Sequence, residues 1–246
     1  MVWLLITCIL IAFYCLLLLL YRYWLQQLQP LQVPASFVPR TRFSVLIPAR
    51  NEAENIAACL QHVLQLNYPP ELLEVIVIDD FSEDDTAAIV RLFHTVKLAQ
   101  LQVLVQQPIN AYKKKAIETG IAIASGDYIV TTDADCVVPP NWLLHFAYMI
   151  EQQQAVFIAA PVVMKEAASF ISLFQHLDFM SLQGITAASV GAGFHSMCNG
   201  ANLCYSKQAF VAVNGFSGID HIASGDDMLL MHKIKLQYPQ QVQYCY

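Results

Sequence analysis

The run Leu73-Glu-Val-Ile-Val-Ile-Asp-Asp80 constrains the chain more than any other stretch. Apart from Glu74 and the closing Asp79-Asp80 it is apolar and largely β-branched at consecutive positions. A strand of this kind must be covered on both faces, the condition of a strand inside a parallel sheet. Parallel neighbours are reached only through crossovers, and the flanking sequence supplies them. Phe43-Ser-Val-Leu-Ile-Pro-Ala49 is a second β-rich run, followed by helical spacing from Glu52 to Gln65 through Ile56, Cys59, Leu60, Val63 and Leu64. Ser82 to Phe93 predicts a helix with Ser82 as N-cap and Glu83, Asp84 and Asp85 at its positive end. Leu101–Val105 is expected as the third strand, Lys113–Ala124 as a helix and Tyr128–Thr132 as the fourth strand. A helix over Pro139–Gln153 and a fifth strand over Val156–Met164 complete the pattern. The alternation predicts an α/β fold: an open, mainly parallel, Rossmann-like sheet with right-handed crossovers and helices on both faces.

Ahead of this pattern, Met1 to Tyr21 contains no Asp, Glu, Lys or Arg. Such a helix is long enough to cross ~30 Å of hydrocarbon. A cleaved signal peptide fits poorly, because no basic n-region precedes the apolar core and no A-x-A site follows it. Tyr23 and Trp24 suit the exit interface. Arg22, Arg40 and Arg42, with no acid before Glu52, place the remainder on the cytoplasmic side by the positive-inside rule. The expected organisation is a membrane anchor over 1–24, a linker over 25–42 carrying Pro30, Pro34 and Pro39, and one domain over 43–246. Only 13% of the 246 residues are charged against 57% hydrophobic, about half the ~25% charged share of soluble domains, which excludes a disordered chain. A net charge of −6 argues against a general nucleic-acid binder. Seven cysteines without a C-x-x-C pair favour free thiols in a reducing compartment.

Chemistry is signalled where strands end. In open α/β sheets ligands bind outside the carboxyl ends of the strands. Those ends carry Pro48-Ala-Arg-Asn-Glu52, Asp79-Asp80 and Asp133-Ala-Asp135. Helix capping alone accounts for Asn51 and could account for Asp80, but not for two carboxylates alternating at 133 and 135. Residues two apart in a strand lean to one face but sit two positions apart along it, so both reach one ion only where the chain bends, as Pro139 and Pro140 favour. Two hard oxygen donors suit Mg²⁺ or Mn²⁺, completed by water and ligand phosphates. Further on, Gly184 to Gly200 is glycine-rich and ends in Met197-Cys-Asn-Gly-Ala-Asn202, a turn able to bring backbone close to a ligand. Ser224 to Lys235 reads as a helix with Asp226 and Asp227 in its first turn, an ordinary place for acids but also one for a general base near a cation. The seven histidines show no ligand spacing, Lys113 to Lys115 can be a solvated helix start, and Phe170 to Met180 is expected as a core or membrane-proximal helix.

Taken in order, Leu46-Ile-Pro-Ala-Arg-Asn-Glu52, Val77-Ile-Asp-Asp-Phe-Ser-Glu-Asp-Asp-Thr86, Lys113-Lys-Lys-Ala-Ile-Glu-Thr-Gly120, Asp133-Ala-Asp135 and Gly225-Asp-Asp-Met-Leu-Leu230 resemble the family 2 glycosyltransferases. The resemblance spans Phe43 to Leu236. It implies a GT-A fold and inverting transfer of a sugar from a nucleotide-diphosphate donor, with a divalent metal, to an acceptor hydroxyl, lipid-linked or polysaccharide. It also implies that Pro48, Ala49, Arg50, Glu52, Asp79 and Asp80 line the nucleotide pocket. Lys113 and Asp133 would then lie near the ribose and phosphates, and Asp135 with Asp133 would hold the metal. Asp227 would be the catalytic base, with Asp226 where a Glu is more usual. A Q-x-x-R-W motif common in membrane-bound members is absent, since Trp occurs only at 3, 24 and 142. The chain stops at the strand-like run Gln241–Tyr246, so a fragment of a longer enzyme is expected. Two rivals remain at this level: a D-x-D phosphatase using Asp133, and a non-catalytic membrane scaffold that binds nucleotide-sugar.

Overall fold

Alternate side chains of the central strands enter two different cores, which is why those strands are apolar at nearly every position. The computed structural model describes residues 1–101, 112–164, 169–194, 197–222 and 224–246. Its elements begin with α1 (Val2–Gln27), β1 (Phe43–Ala49), α2 (Ile56–Leu64), a 3-10 turn (Pro70–Leu72), β2 (Leu73–Asp79), α3 (Thr86–Val90) and β3 (Val96–Gln100). They continue with α4 (Tyr112–Ile123), β4 (Tyr128–Thr131), α5 (Trp142–Gln153), β5 (Phe157–Ala159), α6 (Phe170–Gly191), β6 (Leu203–Ser206), α7 (Lys207–Ala212), α8 (Asp226–Gln237) and β7 (Val242–Tyr244). Val45 and Ile47 of β1 and Val75 and Val77 of β2 pack with α2 and α5 on one face. Leu46, Ile76 and Ile78 pack with α4, α6 and α8 on the other.

The seven strands lie in the order β3-β2-β1-β4-β6-β5-β7. All the pairings are parallel except the two made by β6. Register creates a recess at the carboxyl edge. β1 and β2 run level to Ala49 and Asp79, whereas β4 stops at Thr131 opposite Leu46. The chain after β4 therefore turns beneath the ends of its neighbours. On the opposite edge a Cβ on Gly126 would meet the Ser44 nitrogen at 2.5 Å, so only glycine lets the chain enter β4 this closely.

Several expected boundaries move. The third strand is Val96–Gln100, upstream of the expected Leu101–Val105 run, of which only Leu101 falls among the described residues. The helix expected from Ser82 shortens to Thr86–Val90 with Asp85 as N-cap. Ser82 does not cap it: its hydroxyl accepts from the Asn51 N–H, while Asp84 accepts from Thr86 and Ala53. Those side chains stabilise a turn in place of the first helical turn. Asn51 likewise caps nothing, since α2 begins only at Ile56. Gly184 and Gly191 lie inside α6 and not in a glycine-rich turn. The fifth strand is only three residues long, and β6, between β4 and β5, is unanticipated.

α1 is one helix of 26 residues, apolar and long enough to cross a membrane, with no buried residue. It meets the body through its final turns: Trp24 stacks on Phe194 at 5.0 Å, and Leu28 lies against Gly191. α6, fixed at its start by a reciprocal Ser169–Ser172 cap, is core only at its C-terminal end, over Thr186–Val190. Phe170, Ile171, Phe174 and Leu177 of its first half are exposed.

Candidate active site

The recess at the carboxyl edge opens into a cleft of about 250 Å³. From the β1–α2 loop it is lined by Pro48, Ala49, Arg50 and Glu52; from the end of β2 by Asp80; and from α4 by Lys113 and Ala116. The turn after β4 adds Asp133, Ala134 and Asp135. Seven of the eight residues proposed from sequence for donor binding thus reach one space, together with Asp135. The exception is Asp79, which is buried and accepts from the Ser82 N–H at 3.2 Å, shaping the loop from behind.

Hydrogen bonds between adjacent loops hold this flank. Asn51, at φ 55°, accepts from the Glu83 N–H, the Glu52 N–H donates to the Thr86 hydroxyl at 2.8 Å, and the Asp80 N–H donates to the Ala49 carbonyl. Asp80 is nearly buried. One carboxylate oxygen lies 3.9 Å from Arg50 and the other has no hydrogen-bond partner among the described residues. Burial raises the Asp80 pKa, Arg50 opposes the rise and Asp79 adds to it. A buried acceptor without a partner at the wall of a cleft is suited to a ligand hydroxyl or N–H.

The other flank is assembled from α4, the turn before β6 and α8. Lys113 Nζ lies 2.7 Å from Asp133 Oδ1, and both side chains remain partly open to solvent. Burial works against the Lys113 charge, but Asp133, then Asp226 and Asp227, outweigh it and raise its pKa. The Thr131 hydroxyl donates to the Gly200 carbonyl at 2.8 Å, pinning that glycine over the end of β4. The Gly200 N–H then donates to Asp227 Oδ2 at 2.8 Å, and the Met228 N–H donates to the other oxygen at 2.7 Å. A Cβ at Gly200 would sit 3.5 Å from Lys113 Nζ and 3.6 Å from Asp227 Oδ2, so the ammonium and the carboxylate flank one glycine. Burial, then its neighbour Asp227, raises the Asp226 pKa, with Lys113 opposing. Asp226 and Asp227 are not among the residues that line the cleft; they adjoin it through Lys113, which does. Sequence reasoning did not single out Gly200 or Thr131. The Met197–Asn202 turn was the available signal, but its hydrogen-bond partners could not be read from it.

Asp133 and Asp135 are the oxygen donors that a divalent ion at this turn would use. β4 has ended before Asp133, and the chain turns over Ala134–Asp135, so the two carboxylates are no longer spaced along an extended strand. Asp135 is exposed and forms no ion pair among the described residues; its Oδ1 accepts from the Cys136 thiol at 3.8 Å. No group of three or more His, Cys, Asp or Glu able to hold a metal occurs among the described residues. An ion here would need ligand phosphates and water to complete its shell, as Mg²⁺ and Mn²⁺ commonly do.

The family model "Glycosyl transferase family 2" matches residues 44–209. The probable glycosyltransferase YdaM of Bacillus subtilis is 41% identical over 147 residues, 58% of this chain and 34% of that protein. The poly-beta-1,6-N-acetyl-D-glucosamine synthase of Staphylococcus epidermidis is 29% identical over 201 residues, 78% of this chain and 45% of that protein. The chain therefore spans less than half the length of these curated relatives. Among solved structures, the mannosyltransferase PcManGT from Pyrobaculum calidifontis, in complex with GDP-Man and Mn2+, superposes with a TM-score of 0.69 at 21% identity. That match covers 97% of this chain and 64% of the other, and the shared fold is of the GT-A type.

Proposed function

Because the chain belongs to the family 2 glycosyltransferases, we propose that it carries the donor site and catalytic base of an inverting, nucleotide-sugar-dependent transferase. The observation that carries this reading is the arrangement around Gly200, with Lys113 on the donor side and Asp227 on the other. In the proposed reaction an acceptor hydroxyl attacks C1 of the donor sugar as the C1–O bond to the diphosphate breaks, and the configuration inverts. The hydroxyl proton passes to the Asp227 carboxylate, and the nucleoside diphosphate leaves with the bonding electrons. Two N–H donors fix Asp227, so its position is set before the acceptor arrives. Lys113 supplies positive charge where the leaving diphosphate gains negative charge. Pro48, Ala49, Arg50, Glu52 and Asp80 receive the nucleotide, Asp79 supports them from behind, and Asp133 lies near the ribose and phosphates. A Mg²⁺ or Mn²⁺ ion held by Asp135 and Asp133 would, when bound, supply further charge against the diphosphate.

We read α1 as a membrane span, with the catalytic body on its cytoplasmic side, a reading supported by the arginines that follow it. A cleft held near the bilayer suits an acceptor on lipid or a growing polysaccharide. The test is titration of the full chain in detergent with UDP, GDP, UDP-GlcNAc and GDP-Man, with and without Mn²⁺. Metal-dependent binding of at least one of them is expected, weakened at least ~10-fold in Asp135→Ala. Equal affinity without metal and in the variant would remove Asp135 from the site.

A further inference from the structure

The three lysines that open α4 meet three different fates. Consecutive residues on a helix point about 100° apart, so the three cannot share a target. Lys115 turns to solvent, 3.6 Å from Glu118. Lys113 crosses to Asp133. Lys114 goes inward and is only 3% exposed. A buried ammonium is costly unless it is hydrogen-bonded and compensated by charge. Lys114 forms no ion pair among the described residues, and its Nζ donates to the main-chain carbonyl of Ile222. Among the described residues of the approach to α8, Ile219 packs partly buried against the core and the Ile222 N–H donates to the Ile219 carbonyl. The side chains of Ser217, Asp220, His221 and Ile222 are exposed, so Lys114 is the side chain that ties Ile222 to α4. The upstream end of the approach is held in the same manner, with Lys233 Nζ donating to the carbonyls of Gly215 and Ser217. Gly225, at φ +72°, then turns the chain into α8, whose first residues are Asp226 and Asp227.

We infer that Lys114 is a positioning residue for transfer, holding the approach to α8 on α4 so that Asp227 stays in register with the donor-side Lys113 one residue away on the same helix. The inference rests on the reading of Asp227 as base. The Lys114 charge also acts on Asp226, where it joins Lys113 in opposing the rise in that carboxyl's pKa. The side chain that holds the base and the side chain that faces the donor are therefore consecutive in sequence, and a shift of α4 would carry both.

The test compares Lys114→Met, Lys114→Arg and Asp227→Asn in the full chain, using hydrogen exchange, UDP–Mn²⁺ titration and steady-state transfer. Lys114→Met is expected to speed amide exchange over residues 228–230 and to leave UDP–Mn²⁺ affinity within about twofold. It should lower kcat by about 10- to 100-fold with the donor KM little changed, as small misplacements of reacting groups do. Lys114→Arg, which can still donate to the carbonyl, should restore most of kcat. Equal losses in UDP affinity and kcat would overturn the inference by making Lys114 a donor ligand; unchanged exchange and kcat would overturn it outright. If Lys114→Met does not fold, Lys114→Gln provides the same readouts. Transfer that survives Asp227→Asn would refute the base reading alone, and the exchange result would still decide whether Lys114 holds the start of α8.

Discussion

On one flank of the cleft, the loops after β1 and β2 exchange bonds through Asn51, Ser82, Asp84 and Thr86, so each loop is the other's scaffold. On the other flank, Asp227 depends on a relay in which Thr131 fixes Gly200 and Gly200 fixes the carboxylate. The first arrangement is redundant; in the second, Thr131 to Gly200 and Gly200 to Asp227 are single bonds, with the local Met228 N–H holding the other carboxylate oxygen. Redundancy suits a surface proposed to receive a nucleotide. A relay suits a group that must stand at one place relative to a reacting atom while the chain around it admits an acceptor. The two flanks should therefore fail differently: damage to the first is expected to weaken binding by degrees, and damage to the second to remove turnover.

The sharpest break is Asp227→Asn, which keeps the side chain's shape but removes its capacity to take a proton. Turnover with whichever donor the wild type uses should fall about 10²- to 10⁴-fold with donor affinity retained. A variant that loses affinity in step with turnover would erase the distinction between the flanks. A smaller effect tests the base of the first flank, where Glu74 at the start of β2 meets Lys97, Ser44 and Ser125. Burial would raise the Glu74 pKa, but those partners outweigh it and hold it down to about 2. The folded value lies below the unfolded one, so this stabilisation is present above about pH 4.5 and is lost as pH falls towards 2. Glu74→Gln should flatten the acid fall in unfolding free energy by on the order of 1–2 kcal/mol, allowing for the exposed Lys97. An unchanged acid limb in denaturant titrations would refute the pairing. Smallest is Thr86→Val, which removes the partner of the Glu52 N–H at constant volume. Stability should fall by about 1 kcal/mol, and donor affinity should weaken several-fold with kcat nearly intact. A kcat loss as large as that of Asp227→Asn would mean that the first flank is no more redundant than the second.

The same contrast governs how far the molecule could be read from its residues. β1, β2 and β4 are covered on both faces over most of their length, so their apolar runs are nearly unbroken and the acids after them mark the carboxyl edge. β3, Val-Lys-Leu-Ala-Gln, lies at the sheet's edge and is only partly covered, so it carries no such signature, and the more apolar stretch just after it looked like the strand. β6, Leu-Cys-Tyr-Ser, is four residues long, too short for any periodicity to emerge. The residues of the donor flank stand in local clusters beside strands and could be gathered from sequence. Gly200 meets Asp227 across 27 positions and Lys114 meets Ile222 across 108. Nothing in the letters distinguishes Lys114 from the lysines on either side of it. Only the fold decides that one of the three goes inward.

The single reversed strand has a consequence for how this edge can change. In a wholly parallel sheet, the functional rim is reached only by chain that has just left a strand, and each such segment is obliged to continue into the crossover that follows. β6 begins at the rim, with Leu203 beside Thr131, and ends at the far side, with Ser206 beside Tyr128. The rim thus also receives a segment on its way into the sheet, one that owes nothing to a crossover's length or handedness. Under the proposed reaction, substitutions in the turn over residues 197–200 would alter the rim beside Asp227 while β6 keeps its pairing to β4 and β5.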